Sequence, residues 1–134
     1  MKLTQIEIAT SDDRGNISDI LYNEPIEHVS IINTVGGQSV VRGNHYHKET
    51  RQWMYITRGG LYYWYKKLDD DKAQCVWVGR YCLLETPPME VHALHILEST
   101  QFIVMTAGKR GGKDYESDTF RVPMIFDKDT DYNG

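Results

Sequence analysis

Short apolar runs rich in β-branched and aromatic residues alternate with turn-forming residues along the whole chain. Clusters of Gly, Pro, Asn and Asp recur about every eight to twelve residues and separate the runs that favour β-strands. No stretch of ten or more residues has the 3.6-residue period of an amphipathic helix. The pattern predicts an all-β sandwich or barrel, with strands in these ranges: 29–32, 53–57, 61–65, 75–78 and 101–105.

The glycine pair Gly59-Gly60 separates two of these strands and predicts a hairpin, because glycine accepts the positive φ of tight turns. The second strand carries the aromatic run 62–65. We interpret it as a strand with aromatic side chains on both its core and its interface face. Stacking of a nucleobase or a sugar on one face is the alternative.

Side-chain alternation along the first of these two strands separates its inner and outer residues. If Gln52 points inward, Met54 and Ile56 do so as well, while Trp53 and Tyr55 point outward. Outward aromatics of this size are unusual on a free surface. We therefore expect a second layer of sheet or another subunit to cover them.

Composition and charge narrow the class of protein. The 134 residues include 15 Lys+Arg and 19 Asp+Glu, a net charge of −4, and the cations are scattered along the chain. This distribution argues against binding to nucleic acid or to anionic membranes. No run of about 18 apolar residues is present, and the first residues alternate in polarity, unlike a signal peptide. We expect a soluble cytoplasmic protein.

The length predicts a single domain, which we place at residues 1–126, followed by a polar C-terminal tail at 127–134 that we expect to fray. Cys75 and Cys82 lack a metal-binding Cys-x-x-Cys spacing, and we interpret both as buried or half-buried thiols. The range 109–113 is interpreted as a flexible surface loop, with phosphate contact as the alternative.

Three histidines are the main candidates for chemistry: His45, His47 and His92. Because side chains alternate faces along a strand, His45 and His47 point the same way, toward one cavity if the strands close into a barrel. Converging buried imidazoles need polar partners, which makes them a costly way to fill space and favours a functional site. His28 and His95 are interpreted instead as hydrogen-bonded core residues.

The spacing of these residues resembles the first motif of the cupin superfamily. That motif is matched by His45-x-His47, Gln52 and Gly59, with glutamine in place of the usual glutamate. Gly37 is the nearest equivalent of its initial glycine. The second cupin motif is matched by the segment 87–92, which ends in the third histidine.

The second motif departs from the family in one residue, since Met89 replaces a glycine between Pro87 and His92. Together and in this order, the two motifs resemble those of the cupins closely. The resemblance implies an all-β double-stranded β-helix, or jelly-roll barrel, with His45, His47 and His92 lining its cavity.

A narrower likeness covers nearly the whole chain and concerns small cupins that act on sugar nucleotides, the 3,4-ketoisomerases and the dTDP-4-dehydrorhamnose 3,5-epimerases. The segments similar to the ketoisomerases are Asp-Asp-Arg-Gly at 12–15, Arg-Gly-Asn-His-Tyr-His-Lys at 42–48 with Gln52, Pro-Pro-Met-Glu-Val-His at 87–92, and Asp-Tyr-Glu-Ser-Asp at 114–118. Residues 42–47 also resemble the C-terminal cupin of certain capsular-polysaccharide reductases.

The resemblance implies an isomerase or epimerase of a nucleotide-linked 4-keto-6-deoxysugar, serving surface-polysaccharide or glycoside biosynthesis. Such chemistry begins with removal of a proton next to a ketone, and histidine, with an ordinary pKa of about 6.5, suits that step near neutral pH. The implied catalytic residues are His45, His47 and Arg42, and the implied substrate-binding residues are Arg14, Arg42, Gln52 and His92.

Arg42 has the opposite side-chain parity to His45 on a regular strand, because the two lie three positions apart. It reaches the cavity only if a bulge interrupts the strand near Gly43. An arginine in that place would suit a diphosphate or an enolate oxygen.

The same side chains also form a candidate metal site. His45, His47, Gln52 and His92 offer imidazole nitrogens and an amide oxygen, which zinc, nickel, iron or copper accept. The cofactor therefore stays open between none and one divalent transition metal. The alternative functions are a metal-dependent dioxygenase or lyase acting on a small molecule, and a non-catalytic sugar-binding cupin. We also expect a homodimer, as in other small cupins with outward aromatics.

Overall fold

A computed structural model describes residues 1–36, 38–108 and 117–133, and within these ranges the chain forms twelve β-strands and no helix. The strands are β1 (Lys2–Gln5), β2 (Thr10–Asp12), β3 (Gly15–Ile17), β4 (His28–Thr34), β5 (Val40–Tyr46), β6 (Arg51–Arg58), β7 (Gly60–Lys67), β8 (Gln74–Gly79), β9 (Cys82–Thr86), β10 (Glu90–Ile96), β11 (Thr100–Ala107) and β12 (Phe120–Arg121). No helix in the described ranges has the length and apolar character needed to span a membrane.

Two five-stranded antiparallel sheets pack face to face. The first has the strand order β1-β9-β6-β11-β4, the second has the order β12-β5-β10-β7-β8, and β2 and β3 form a separate small ribbon. Both sheets contribute to one apolar core, for example Ile56 and Phe102 from the first and Tyr63 and Leu94 from the second. This arrangement confirms the predicted all-β jelly-roll class.

The predicted hairpin at Gly59-Gly60 is wrong. Strand β6 pairs with β9 and β11, whereas β7 pairs with β10 and β8, so the chain crosses from one sheet to the other at Gly59. Gly59 has φ 77°, and a Cβ there would clash with the Ser99 carbonyl and lie 2.6 Å from Thr100 Oγ1. A glycine-marked turn is compatible with either connection, because local sequence does not specify the partner strand.

The predicted alternation along β6 is confirmed. Met54 and Ile56 lie in the core between the sheets, while Trp53 and Tyr55 form a second apolar cluster on the outer face with Leu83. Residues of the N-terminal segment pack on this outer cluster, among them Ile6, Ile20, Leu21 and Ile26. The outward aromatics are therefore covered by the chain's own N-terminal segment.

The C-terminal tail is anchored, so the expected fraying is wrong at Tyr132. Its ring stacks on Tyr62 at a centroid distance of 3.6 Å, and its hydroxyl lies 2.9 Å from Trp64 Nε1 and 2.7 Å from His95 Nδ1. The outer aromatics of β7 thus pack against the tail, in line with a structural interpretation of the run 62–65.

The burial of the cysteines and of the predicted core histidines agrees only in part with the expectations from sequence. Cys82 is half-buried, but Cys75 is exposed because its side chain lies on the outer face of β8, so its expected burial is wrong. His95 is a buried histidine with both ring nitrogens hydrogen-bonded, as expected, but His28 is only half-buried on the edge strand β4, so its interpretation as a core residue is wrong. Gly37, the loop at 109–113 and the first three residues of the segment 114–118 lie outside the described residues.

Candidate functional site

A β-bulge in β5 brings Arg42 and His45 to the same face of the sheet. His45 pairs with His92, but the next pairs along β10 join Gly43 to Ala93 and Arg42 to Leu94, which leaves Asn44 as an extra residue. Gly43 and Asn44 adopt left-handed conformations, with φ of 76° and 60°. The bulge that Arg42 requires is therefore present.

Asn44, the extra residue of the bulge, holds the C-terminal segment against β5. Its Nδ2 donates to the Val122 carbonyl at 2.7 Å, and its Oδ1 accepts from the Ile125 amide at 3.2 Å. These bonds hold the residues that directly follow β12, the strand in which Arg121 pairs with His45 of β5. Sequence reasoning missed Arg121, because a two-residue strand has no periodic pattern that could mark it.

The three candidate histidines meet on the inner face of the second sheet. His45 lies at the end of β5, His47 follows that strand, and His92 lies in β10. Their ring centroids are separated by 4.8 Å (His45 to His47), 4.8 Å (His45 to His92) and 5.5 Å (His47 to His92). All three are buried. The structure thus brings together three imidazoles from distant parts of the sequence.

Backbone carbonyls orient two of these rings. His47 Nδ1 lies 2.8 Å from the Asp118 carbonyl, and His92 Nδ1 lies 3.1 Å from the Glu90 carbonyl. A carbonyl can only accept a hydrogen bond, so Nδ1 must carry the hydrogen in each ring. In the neutral form, the lone pair of each ring is then on Nε2, the atom that can accept a proton or bind a metal.

Asp118 clamps the chain immediately after His47. Its carboxylate accepts hydrogen bonds from the amides of Lys48, Glu49 and Thr50 at 3.0, 2.9 and 2.8 Å, and from Thr50 Oγ1 at 2.8 Å. Burial would raise the pKa of Asp118, but these hydrogen bonds outweigh it and lower the pKa to about 2. Asp118 is therefore ionised at neutral pH and fixes the loop that follows His47.

A cavity of about 230 Å³ opens next to the histidines, between the two sheets. His45 and His92 line one wall, and the buried Gln52 faces the cavity from the opposite sheet. The remaining inner lining is apolar and comes mainly from Met54, Leu94, Phe102 and Val104. His47 contacts the other two rings but does not line the cavity.

Two arginines provide the positive charge of this cavity. Arg42 and Arg121 are both exposed and both line it, and they come from the neighbouring strands β5 and β12. Arg14, by contrast, does not line the cavity. It lies in the turn between β2 and β3, where its guanidinium pairs with Asp12 at 2.6 Å and remains 87% exposed. The structure brings Arg42, but not Arg14, to the histidines.

The ring nitrogens of the three histidines are donors of a kind that binds transition-metal ions. Three imidazoles offer ligand atoms that lie within 4.8 Å of one another, with the Gln52 amide on the opposing sheet as a further candidate. Ligands of a tetrahedral zinc ion with bonds of about 2.0–2.1 Å are separated by roughly 3.4 Å. The rings would therefore have to close slightly around an ion.

No protein-family model and no curated protein matches the sequence, but solved structures match the fold. A variant of the 3,4-ketoisomerase QdtA from Thermoanaerobacterium thermosaccharolyticum, in complex with TDP-4-keto-6-deoxyglucose, is 18% identical with a TM-score of 0.70, over 90% of this chain and 86% of that chain. The dTDP-4-dehydrorhamnose 3,5-epimerase from Bacillus anthracis, with TDP and PPi bound, is 13% identical with a TM-score of 0.67, over 84% and 74%.

The capsular polysaccharide assembling protein CapF from Staphylococcus aureus is 17% identical with a TM-score of 0.64, and the match covers 89% of this chain and 34% of CapF. All three proteins were expected from the resemblance of the sequence to sugar-nucleotide cupins. At these identities the likeness shows the fold alone. The predicted all-β jelly-roll fold is thereby confirmed.

Proposed function

We propose that the protein is an isomerase or epimerase of a nucleotide-linked 4-keto-6-deoxysugar, acting by histidine acid/base catalysis. The observation that carries the proposal is the cavity itself, in which His45 and His92 face an interior beside Arg42 and Arg121. This combines groups for proton transfer with groups that bind anionic oxygen. The shared fold with a ketoisomerase and an epimerase of nucleotide sugars supports it.

The proposed reaction starts at the carbon next to the ketone. His45 removes the proton from C3, and the electron pair moves onto the C4 carbonyl oxygen to give an enediolate. Return of a proton to C3 from the other face inverts that centre, whereas return of the proton to C4, with transfer of the O3 proton to O4, leaves the carbonyl at C3. Neither outcome needs an oxidant or reductant. His47 does not line the cavity, but its ring lies 4.8 Å from that of His45, so it is the second acid/base group through proton exchange with His45.

The cavity is too small to enclose a whole nucleotide sugar. A volume of about 230 Å³ is below the range of about 300–1,000 Å³ typical of pockets that enclose a whole drug-sized ligand. We place the sugar ring inside, next to His45, His92 and Gln52. The diphosphate then lies against Arg42 and Arg121, and the nucleoside lies outside the cavity.

Incubation of the protein with dTDP-4-keto-6-deoxyglucose in deuterated water tests this function. Solvent deuterium should enter the sugar at C3 on inversion or on return to the starting ketone, or at C4 of a 3-keto product, as detected by NMR or mass spectrometry. His45→Asn should slow the exchange about 100-fold or more, within the usual contribution of one acid/base group. His28→Asn, on the outer strand β4, is the matched control and should not affect it. Tight sugar-nucleotide binding without exchange would instead identify a non-catalytic binding protein.

The second candidate function is a metal-dependent cupin, a dioxygenase or a lyase acting on a small molecule. The clustering of three imidazoles favours this candidate. In addition, Nδ1 of His47 and Nδ1 of His92 each donate a hydrogen bond to a backbone carbonyl, which is common for histidines that bind a metal through Nε2. A metal held by His45, His47 and His92 would supply a Lewis acid. Elemental analysis and chelation decide: stoichiometric metal with activity lost on chelation favours this candidate, and full activity after chelation excludes it.

A further inference from the structure

We infer that Asp118 is a positioning residue that holds His47 in one tautomer and one ring orientation, an inference that rests on the proposed function of the site. Asp118 is buried and does not line the cavity. It contacts both the ring of His47 and the main chain that follows His47. Its carbonyl accepts the hydrogen bond of His47 Nδ1, and its carboxylate holds the three residues that follow His47.

The carbonyl determines which nitrogen of His47 can exchange a proton. A neutral imidazole carries its hydrogen on either Nδ1 or Nε2, and a hydrogen bond from Nδ1 to a carbonyl selects the first form. His47 then accepts a proton only at Nε2. Without that carbonyl both tautomers would be populated, and a fraction of the molecules would hold the hydrogen on the wrong nitrogen.

The carboxylate keeps this carbonyl in place. Asp118 lies 71 positions after His47, so the contact depends on tertiary structure. Four hydrogen bonds from the 48–50 loop fix the Asp118 side chain and with it the main chain that carries the carbonyl. These bonds are charge-assisted, which makes each stronger than a bond between neutral groups. Removing the carboxylate should release both the loop and the carbonyl.

His92 is oriented in the same way but by a local contact. Its Nδ1 faces the carbonyl of Glu90, two residues away on the same strand. The geometry of β10 maintains that bond without a distant residue. His92 therefore serves as an internal control, because a change at Asp118 should alter the tautomer of His47 and leave the tautomer of His92 unchanged.

The test is a pair of variants, Asp118→Ala and Asp118→Asn, studied by ¹⁵N NMR of the imidazoles at about two pH units above the ordinary histidine pKa of about 6.5. In the unmodified protein, His47 and His92 should both show protonated Nδ1 and unprotonated Nε2. In Asp118→Ala, the His47 signals should shift toward a tautomer mixture while those of His92 stay unchanged. Asp118→Asn keeps the shape of the side chain, so the same ¹⁵N signals of His47 and His92 can be measured in it if the alanine variant fails to fold.

Amide exchange and kinetics complete the experiment. Hydrogen exchange at Lys48, Glu49 and Thr50 should accelerate at least tenfold in Asp118→Ala, because their shared acceptor is lost, and by less in Asp118→Asn, which keeps one acceptor oxygen. The kcat of the deuterium wash-in should fall about 10- to 100-fold with little change in KM, as expected for a residue that orients another. Asp127→Ala removes an exposed carboxylate that accepts the Asp129 amide and serves as the matched control.

The readouts separate this inference from the proposed function. Unchanged His47 signals in a folded Asp118 variant would overturn the positioning role, whether or not the protein is an enzyme. A shifted His47 tautomer in a protein that never exchanges sugar protons would uphold the positioning and overturn the proposed reaction. A kcat loss with the His47 tautomer unaltered would also count against the inference.

Discussion

At the scale of single residues, the site depends on backbone conformations that few side chains adopt. Among the described residues, four non-glycine residues have positive φ: Asn23, Asn44, Tyr81 and Met89. Asn44 belongs to the bulge that turns Arg42 toward the cavity, and asparagine tolerates this region better than most residues. Met89, with φ 69°, stands where the cupin motif has glycine, and its amide donates to the His47 carbonyl at 2.6 Å. Methionine therefore adopts here a left-handed backbone conformation that favours glycine.

Met89→Gly should stabilise the protein. The left-handed conformation costs a methionine about 1–2 kcal/mol, of which glycine's greater freedom in the unfolded chain cancels about 0.5–1 kcal/mol. We expect a net gain of about 0.5–1 kcal/mol in the free energy of unfolding, measured by urea denaturation. Met124, similarly exposed but without positive φ, provides the control, since Met124→Gly should destabilise. A loss of stability in Met89→Gly would contradict the assignment of strain.

Arg121→Ala should weaken binding of a nucleoside diphosphate. A hydrogen bond to a charged group contributes about 1.5–3 kcal/mol, which corresponds to a Kd increase of about 10- to 100-fold for TDP in calorimetry. Arg42→Ala should have a similar effect, and Arg80→Ala, outside the cavity, should have none. An equal loss in Arg14→Ala would show that Arg14 reaches the ligand, as the resemblance implies, although it does not line the cavity.

At the scale of elements, the C-terminal segment completes the site. Asp118 holds His47, Arg121 pairs with His45 in β12, and Asn44 ties the following residues to β5. The end of the segment then docks on the outer face of the second sheet through Tyr132. A segment with almost no regular structure therefore contributes side chains to both faces of the same sheet.

The docking of Tyr132 specifies the protonation of His95. Trp64 Nε1 can only donate, so the Tyr132 hydroxyl accepts from it and donates to His95 Nδ1. His95 Nε2 then carries the hydrogen and donates to Ser39 Oγ at 2.7 Å. A second proton on the ring would compete with the hydroxyl hydrogen of Tyr132. Burial, followed by the nearby charge of Lys128, lowers the pKa of His95.

This lowered pKa predicts a pH-dependent stability. In the unfolded chain His95 titrates at about 6.5, and in the folded protein at a lower pH. Between these values the unfolded state binds more protons, so the contribution of His95 is fully present above about pH 6.5 and is lost as the pH falls through the folded pKa. The difference in unfolding free energy between the protein and His95→Gln should shrink over that range. A difference independent of pH between 7 and about 5 would contradict this.

At the scale of the whole molecule, the two sheets differ in how their outer faces are covered. The N-terminal segment covers Trp53 and Tyr55, and the C-terminal tail covers the aromatics of β7. The outer side of β4, an edge strand of the first sheet, retains Val29 and Ile31 at 61% and 55% exposure. This apolar edge supports the prediction of a homodimer.

Light scattering should therefore give about twice the 15.5 kDa mass of one chain. If the edge at β4 forms the interface, Ile31→Lys should reduce the mass to that of a monomer, because it buries a charge without a partner. Val35→Lys, at a more exposed position outside the strand, is the control and should leave the mass unchanged. A monomeric unmodified protein at micromolar concentration would overturn the dimer prediction.

Much of the candidate site followed from spacing along the chain. Strand alternation placed His45 and His47 on one face, and parity required a bulge at Gly43 for Arg42 to join them, which the structure has. The exposed position of Arg14 and the contribution of Arg121 did not follow from any local pattern. Each depends on which strand lies beside which, and that is decided by contacts between residues far apart in sequence.

The sequence by itself determined the all-β class, the inward faces of the strands and the shared direction of the histidine pair, because turn residues and a two-residue period act over a few neighbouring positions. Only the tertiary structure decided that β6 and β7 belong to different sheets, that Asp118 orients His47 and that the tail docks through Tyr132. The physical reason is that antiparallel pairing satisfies the same backbone hydrogen bonds with any partner strand. The choice among partners comes from how the side chains of the whole chain pack.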